Sequence, residues 1–260
     1  MAERCNYLWR LMATAVAFSV FGLGGVLFSL IVFPLLTLLI RQPARRIALS
    51  RRVVQLSFAA FIRLMRALGI LSYRIVGAEK LRRPGLLILA NHPTLIDVVF
   101  LISLLPNADC IVKSSLARNP FTRGPVHASG YICNDSGEGL IEDCIRSVRA
   151  GNNLVIFPEG TRTPLDGGFK LQRGAANIAV RGHCAITPVT ISCEPRSLAK
   201  GVPWWSIPSQ PMRFTIEVLD DLPVAPFLEG QNEAMAARGL TRFLHDFYLT
   251  TSSLHANPGI

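Results

Sequence analysis

From Leu11 to Ile40 the chain runs for thirty residues without a charged side chain, and about 20 apolar residues suffice to cross the hydrocarbon core of a bilayer as a helix. A membrane segment near the N-terminus is therefore the first constraint on the fold. The apolar region of a cleaved signal peptide is about 7 to 15 residues long, half of what is present, so the segment is expected to be retained. Gly22, Gly24, Gly25 and Pro34 are positions at which such a helix can kink. The run is also longer than one perpendicular crossing requires, so a tilted span and a bent, re-entrant hairpin both stay open. If it spans, the five arginines from Arg41 to Arg52, against Arg4 and Arg10 before the run, place the domain that follows in the cytoplasm.

Charge narrows the partners. The 260 residues carry 27 Lys and Arg against 17 Asp and Glu, a net charge of +10. Between Glu3 and Glu79 there is no acidic residue, while Arg41, Arg45, Arg46, Arg51, Arg52, Arg63, Arg66 and Arg74 all fall there. Basic residues interleaved with an apolar face favour a membrane surface over a nucleic acid, which would present a polar, aromatic groove. From Ile47 to Ile70, Arg52, Gln55, Ala59, Arg63 and Arg66 recur at three- and four-residue steps among apolar residues. That pattern predicts an amphipathic interfacial helix. The six cysteines form no C-x-x-C pair and no zinc-ligand pattern with histidine, so reduced, buried thiols are expected.

Beyond Arg83-Pro84 short apolar runs of strand type (GLLILAN, CIVK, GYIC, NLVIF, AITPVTI, MRFTIEVL) alternate with helical ones (TLIDVVFLISLL, GEGLIEDCIRSVRAG, RGAANIAVRGH). The alternation predicts an α/β fold, a mixed sheet flanked by helices. Gly201 to Pro211 reads as a loop, in which Trp204 and Trp205 touch lipid or pack internally. Glu229 to Leu249 is helical in pattern.

Several classes of chemistry are excluded by missing motifs. There is no G-x-S-x-G elbow, no G-x-x-x-x-G-K-[ST], no H-E-x-x-H, and no completed G-x-G-x-x-G. Two constellations remain. The first, Asn91-His92-Pro93-Thr94-Leu95-Ile96-Asp97, sits where an apolar strand gives way to a helix, a position that reaches a sheet's ligand crevice. His92 with Asp97 makes a candidate dyad, since a carboxylate that fixes the imidazole tautomer yields a general base usable near neutral pH. Thr94-x-x-Asp97 also fits a helix capping box. The second, Phe157-Pro158-Glu159-Gly160-Thr161-Arg162, again follows an apolar strand. It displays a carboxylate and a guanidinium, suited to a polar, anionic headgroup or to a local Glu–Arg pair.

Together, NHPTLID and, about sixty residues later, FPEGTR resemble the lysophosphatidic acid acyltransferase (1-acylglycerol-3-phosphate O-acyltransferase) family and its glycerophosphate relatives. The likeness runs from Leu86 to Ile191 and includes a weaker lysine block at Val112-Lys113-Ser114-Ser115-Leu116 and the segment Thr187-Pro188-Val189-Thr190-Ile191. It implies transfer of an acyl group from acyl-CoA or acyl carrier protein to the hydroxyl of a lysolipid. His92 would deprotonate that hydroxyl, with Asp97 orienting it. Glu159 and Arg162 would hold the acceptor headgroup with Gly160 and Thr161 shaping the loop, and Lys113 would assist in substrate binding. No metal and no organic cofactor is implied.

The chain departs from the family pattern in two places. Thr94 stands where a serine is usual, and Gly130-Tyr131-Ile132-Cys133-Asn134-Asp135 lacks the arginine that relatives place beside the acceptor phosphate. An acceptor without phosphate, such as an amino-acid-containing or polyketide-type lipid, is thus an alternative to 1-acylglycerol-3-phosphate. A non-catalytic lipid-binding protein is a further one. The expected organisation is a membrane anchor (1–46), a basic interfacial helix and linker (47–83) and an α/β acyltransferase domain (84–260). It would be membrane-bound, with its catalytic face cytoplasmic.

Overall fold

The computed structural model describes residues 2–135, 139–164 and 169–256. Its helices and strands run in the order α1 (Ala2–Leu27), a π-helical turn (Phe28–Val32), α2 (Phe33–Leu39), α3 (Pro43–Ala67), β1 (Leu71–Val76), β2 (Leu87–Ala90), α4 (Asp97–Leu104) and β3 (Ala108–Val112). There follow α5 (Ser114–Arg118), α6 (Arg123–Ala128), β4 (Ile132–Cys133), α7 (Leu140–Arg149), β5 (Asn153–Ile156) and α8 (Gly174–Gly182). The chain closes with β6 (Ile186–Glu194), β7 (Met212–Val218), α9 (Ala225–Leu228) and α10 (Glu233–Ala256).

The sheet has seven strands in the order β1-β7-β6-β2-β5-β3-β4. Strands β6, β2, β5, β3 and β4 are mutually parallel, β7 is antiparallel to β6, and β1 is parallel to β7. Central strand β2 is buried throughout, and its alternation divides the core in two. Ile88 and Ala90 face the layer of α3 and α4, while Leu87 and Leu89 face that of α7, α8 and α10. Because these five neighbouring strands are parallel, their C-terminal ends lie along one edge, where the ligand crevice of an α/β sheet is found.

All six strands expected after Pro84 are present. The expected boundary at residue 84 is corrected, because β1, inside the supposed linker, pairs with β7 from Leu71↔Met212 to Val76↔Glu217. Strand β1 is an alternating edge strand whose partner comes about 140 residues later, a pairing no local pattern announces.

The apolar run forms a helix continuous from Cys5 to Leu39, long and apolar enough to cross a bilayer. It lies along the domain. The Trp9 indole N–H donates to the carbonyl of Leu68 at 3.1 Å, so α1 and α2 run antiparallel to α3. Phe21 packs on Phe58 and Phe61 with ring centroids 5.8 and 4.9 Å apart. The helix is interrupted by the π turn rather than at the glycines. Pro34 has no N–H and its ring crowds the carbonyl four residues back, and the wider turn absorbs this, with Phe33 N–H reaching the carbonyl of Phe28. Gly25 has a different purpose, since a Cβ there would stand 2.1 Å from the carbonyl oxygen of Phe121. It lets α1 approach the segment leading into α6.

On the outer face of this helix Leu8, Met12, Val16, Val20, Leu23, Leu27, Leu30, Leu35 and Leu38 are all exposed. They follow one another at three- and four-residue steps, with one five-residue step from Leu30 to Leu35 at the π turn, an apolar stripe about 45 Å long at 1.5 Å per residue. Trp204 stacks on Phe18 with centroids 5.6 Å apart and, with Trp205, extends that side of the molecule.

Helix α3 begins at Pro43, not Ile47, and is an inner helix packed between α1 and α4. Arg52, Arg63 and Arg66 are exposed as expected, but Gln55 turns inward and donates to the carbonyl of Ser103. Arg51 is also buried. Its guanidinium meets the Asp109 carboxylate at 2.9 Å and donates to the carbonyl of Ser129 and the side chain of Asn107, while Ser147 donates to Asp109 from α7. This network ties α3 to β3, α6 and α7. Of the cysteines, Cys110, Cys144 and Cys193 are buried and Cys133 and Cys184 half-buried, whereas Cys5 is exposed.

Arg51→Ala strands the Asp109 carboxylate in the interior, where removing one partner of a buried pair costs about 3–5 kcal/mol. Chemical denaturation in detergent should show that loss, and Arg51→Met with Asp109→Leu should recover most of it.

Candidate active site

The sheet's C-terminal edge is organised around the residues that leave β2. Asn91 continues the strand with its side chain: its amide donates to the carbonyl of Ile191 at 2.8 Å and accepts the Ile191 N–H at 2.7 Å. This amide pair substitutes for one more rung of the β2–β6 ladder and fixes where the chain departs. His92 follows, its imidazole lying against the Phe157 ring at the end of β5, centroids 4.2 Å apart and planes 25° from parallel.

Asp97 opens α4 and is fully buried. Its carboxylate lies 2.9 Å from His92 Nδ1 and accepts the Thr94 N–H at 2.6 Å, while the Thr94 hydroxyl donates to its other oxygen. The dyad and the backward half of the capping box are thus made by one carboxylate. A carboxylate acceptor at Nδ1 assigns the proton to that nitrogen and leaves Nε2 with a free lone pair. Burial pushes the Asp97 carboxyl above the usual aspartate value of 3.8, against the opposing bonds from His92 and Thr94.

Glu159, from the turn after β5, is buried as well. One oxygen accepts the backbone N–H of His92 at 2.8 Å and the Thr163 hydroxyl at 2.9 Å, and Thr163 N–H returns a bond to the carbonyl of His92 at 2.7 Å. Its other oxygen has no hydrogen-bond partner among the described residues. Burial raises the Glu159 carboxyl too. Through this one oxygen Glu159 acts as a strut holding the histidine's main chain. Gly160 turns the chain at φ +68°, a left-handed conformation that favours glycine, and half-buried Thr161 follows it.

Arg162 makes no pair with Glu159. Its Nη1 donates to the carbonyls of Leu198 and Ala199, each at 2.9 Å, and Leu95 N–H donates to the same Leu198 carbonyl at 3.0 Å. The guanidinium therefore anchors the loop after β6 against the start of α4 while keeping its full charge. Lys113 is exposed at the end of β3, two strands from β2 on the same edge. Beyond β4, Asn134 accepts the N–H of Ser114 and leaves its position exposed, with Asp135 beside it. No group of three or more metal-ligating side chains occurs among the described residues.

Sequence reasoning missed the parts of Asn91, Phe157 and Thr163. The first two lie inside the motifs that it singled out, but their purposes depend on β5 and β6 arriving beside β2.

Residues 72–192 match the family model described as Acyltransferase. A putative 1-acyl-sn-glycerol-3-phosphate acyltransferase acl-2 of Caenorhabditis elegans is 32% identical over 127 residues, covering 45% of each chain. The 1-acyl-sn-glycerol-3-phosphate acyltransferase of Helicobacter pylori is 32% identical over 114 residues, 40% of this chain and 47% of the other. That of Saccharomyces cerevisiae is 28% identical over 202 residues, 72% and 61% respectively. The chain spans about half the length of the first two relatives. The crystal structure of the 1-acyl-sn-glycerophosphate (LPA) acyltransferase PlsC from Thermotoga maritima superposes with a TM-score of 0.68 at 16% identity, covering 99% of this chain and 100% of the other, which establishes a shared fold.

Because burial raises Asp97, its proton binds more tightly in the folded state than in the unfolded one. The carboxyl's contribution to stability is fully present below its unfolded value near 3.8 and is lost as pH climbs through the raised folded value. Asp97→Asn should remove that slope from a plot of unfolding free energy against pH.

Proposed function

From the match of residues 72–192 to the acyltransferase family model we propose that the chain moves a fatty acyl group from a thioester to the hydroxyl of a lysophospholipid. The leading acceptor is 1-acylglycerol-3-phosphate, which would give phosphatidic acid. The observation that carries the reading is the His92–Asp97 pair at 2.9 Å, set on the sheet's ligand edge with Nε2 free. No Ser or Cys elbow accompanies it, so the attacking oxygen belongs to the acceptor.

In the proposed reaction His92 Nε2 takes the acceptor's hydroxyl proton as the oxygen attacks the thioester carbonyl. Asp97 holds the ring and balances the imidazolium charge. The tetrahedral intermediate collapses with cleavage of the C–S bond, the thiolate leaves with the proton from His92, and the ester remains on the acceptor. Stacking on Phe157 and the Glu159 bond to the main chain of His92 keep the imidazole in one place between the two transfers. Only these side chains and the two substrates enter the steps, with no metal or organic cofactor required.

The acceptor is a membrane lipid, and the apolar stripe of α1 and α2 supports a domain seated on a bilayer with that face in the lipid. Arg41, Arg45 and Arg52 are exposed near the turn into α3 and favour an anionic, cytoplasmic leaflet. Arg51, bound to Asp109, does not contribute.

A second reading, acylation of a lipid that lacks phosphate, is favoured by the absence of an arginine after β4. Arg162 bonds the loop that also holds Leu95, within the dyad's own loop, and exposed Asp135 follows β4. Thiol release from acyl-CoA and from acyl carrier protein, with lysophosphatidic acid set against amino-acid-containing lysolipids, decides between the acceptors.

His92→Ala should lower turnover at least about 100-fold with unchanged circular dichroism, and near-normal turnover would overturn the proposed chemistry. Leu23→Glu with Leu30→Glu should reduce co-sedimentation with phosphatidylglycerol vesicles, because each charge replaces apolar surface buried in the acyl boundary.

A further inference from the structure

On the side of the sheet opposite α1 lies an open cleft of about 270 Å³, between the segment after the Glu159 turn and one face of α10. Its walls carry Lys170, Arg173, Arg238, Arg242 and His245. Arg238, Arg242 and His245 follow four- and three-residue steps and so share one helix face. None of the four Lys and Arg side chains has an ion pair with a described residue. Among the described residues Asp246 contacts the cleft's histidine, its carboxylate lying 3.1 Å from His245 Nδ1. Four cations around one concavity, without an acidic partner among the described residues, repel each other and focus a positive potential, an arrangement suited to a ligand with several negative charges.

The cleft adjoins the dyad through covalent and hydrogen-bonded connections. Gln172 N–H donates to the carbonyl of Pro158 at 2.7 Å, next to the Phe157 ring that stacks on His92. Phe169 on the cleft wall packs against Tyr248, whose hydroxyl donates to the carbonyl of Leu89 at 2.5 Å, three residues before His92. The cleft also belongs to the α8–α10 layer, whereas the exposed apolar stripe belongs to the α1–α3 layer. A ligand for it therefore arrives from water and not from the bilayer.

Resting on the acyl-transfer reading above, we propose that this cleft binds the phosphates of the phosphopantetheine thioester that donates the acyl group. The phosphates sit among Lys170, Arg173, Arg238 and Arg242, and the pantetheine arm carries the thioester past Phe169 toward His92. The acceptor then enters from the lipid side and the donor from the aqueous side, so the two substrates meet at the sheet edge without competing for one entrance.

Arg238→Ala with Arg242→Ala removes two exposed charges from one helix face and is compatible with folding, checked by circular dichroism. Dissociation constants for coenzyme A and for holo-acyl carrier protein are measured on the full-length protein and this variant in detergent at two salt concentrations. Affinity should fall at least about tenfold, and the salt dependence of wild-type binding should weaken in the variant. Loss for both ligands assigns the phosphopantetheine phosphate they share to the cleft, and loss for coenzyme A alone assigns its nucleotide phosphates. Loss for the carrier protein alone, or unchanged binding of both, overturns the proposal. Thiol release measured on the same samples separates the two readings, because a protein that binds coenzyme A through the cleft but acylates no lysolipid refutes the reaction and leaves the cleft standing.

Discussion

The arrangement at the sheet edge depends on one buried carboxylate. Asp97 is cut off from water, and a buried charge is tolerated only with donors around it. The donors available are the Thr94 N–H and hydroxyl and His92 Nδ1. Meeting that need forces residues 92–97 into a loop whose closure aims the imidazole. Local hydrogen-bond satisfaction and the orientation of the base are thus one requirement. Glu159 repeats the device from the neighbouring strand, its buried carboxylate accepting the N–H of His92. Two desolvated acids, one on the side chain and one on the main chain of the same residue, leave the histidine little freedom.

The rest of the fold brings those two loops together and turns one face of the apolar run outward. Parallel pairing of β2 with β5 in the register Leu87↔Leu154 to Leu89↔Ile156 brings His92 beside Phe157, a contact between residues sixty-five positions apart. The Arg51–Asp109 network then locks α3 onto the sheet from below, and α1 rests on α3. The apolar run consequently presents one face to its own domain and one outward. A helix docked along its length in this way is amphipathic by tertiary context although its sequence is apolar all round, which explains why periodicity could not separate a span from a hairpin.

The central strands, the helices between them and both motifs were legible because each is a local pattern: a buried run of β-branched and aliphatic residues, or a strand end carrying His or Glu. Legibility failed where the deciding partner is remote. Strand β1 depends on β7, and the inward turn of Gln55 and Arg51 depends on Ser103 and Asp109. Arg51 was counted among the surface arginines because a sequence shows charge but not the buried acid that answers it. Glu159 is a similar case: its type and place in FPEGTR read as a headgroup ligand, and the bond from the main chain of His92 to one of its oxygens comes into view only when β5 lies beside β2.

Arg162 shows how the same motif can serve structure and recognition together. Two neutral carbonyls hold one of its nitrogens, and carbonyl dipoles orient a guanidinium without cancelling its charge. Pairing with Glu159 would have cancelled it, and Glu159 is occupied elsewhere. The loop after β6 is therefore fastened by a group that still projects a positive field along the sheet edge. In relatives of the family pattern a second arginine after β4 would share the charge of an acceptor phosphate, but here Asn134 and Asp135 occupy that position. The electrostatics of this edge then rest on how one partly buried guanidinium and exposed Lys113 are set against exposed Asp135. Water screens them from one another, and wherever the edge is dry that screening weakens, so these three side chains, more than the dyad, set the field along the edge.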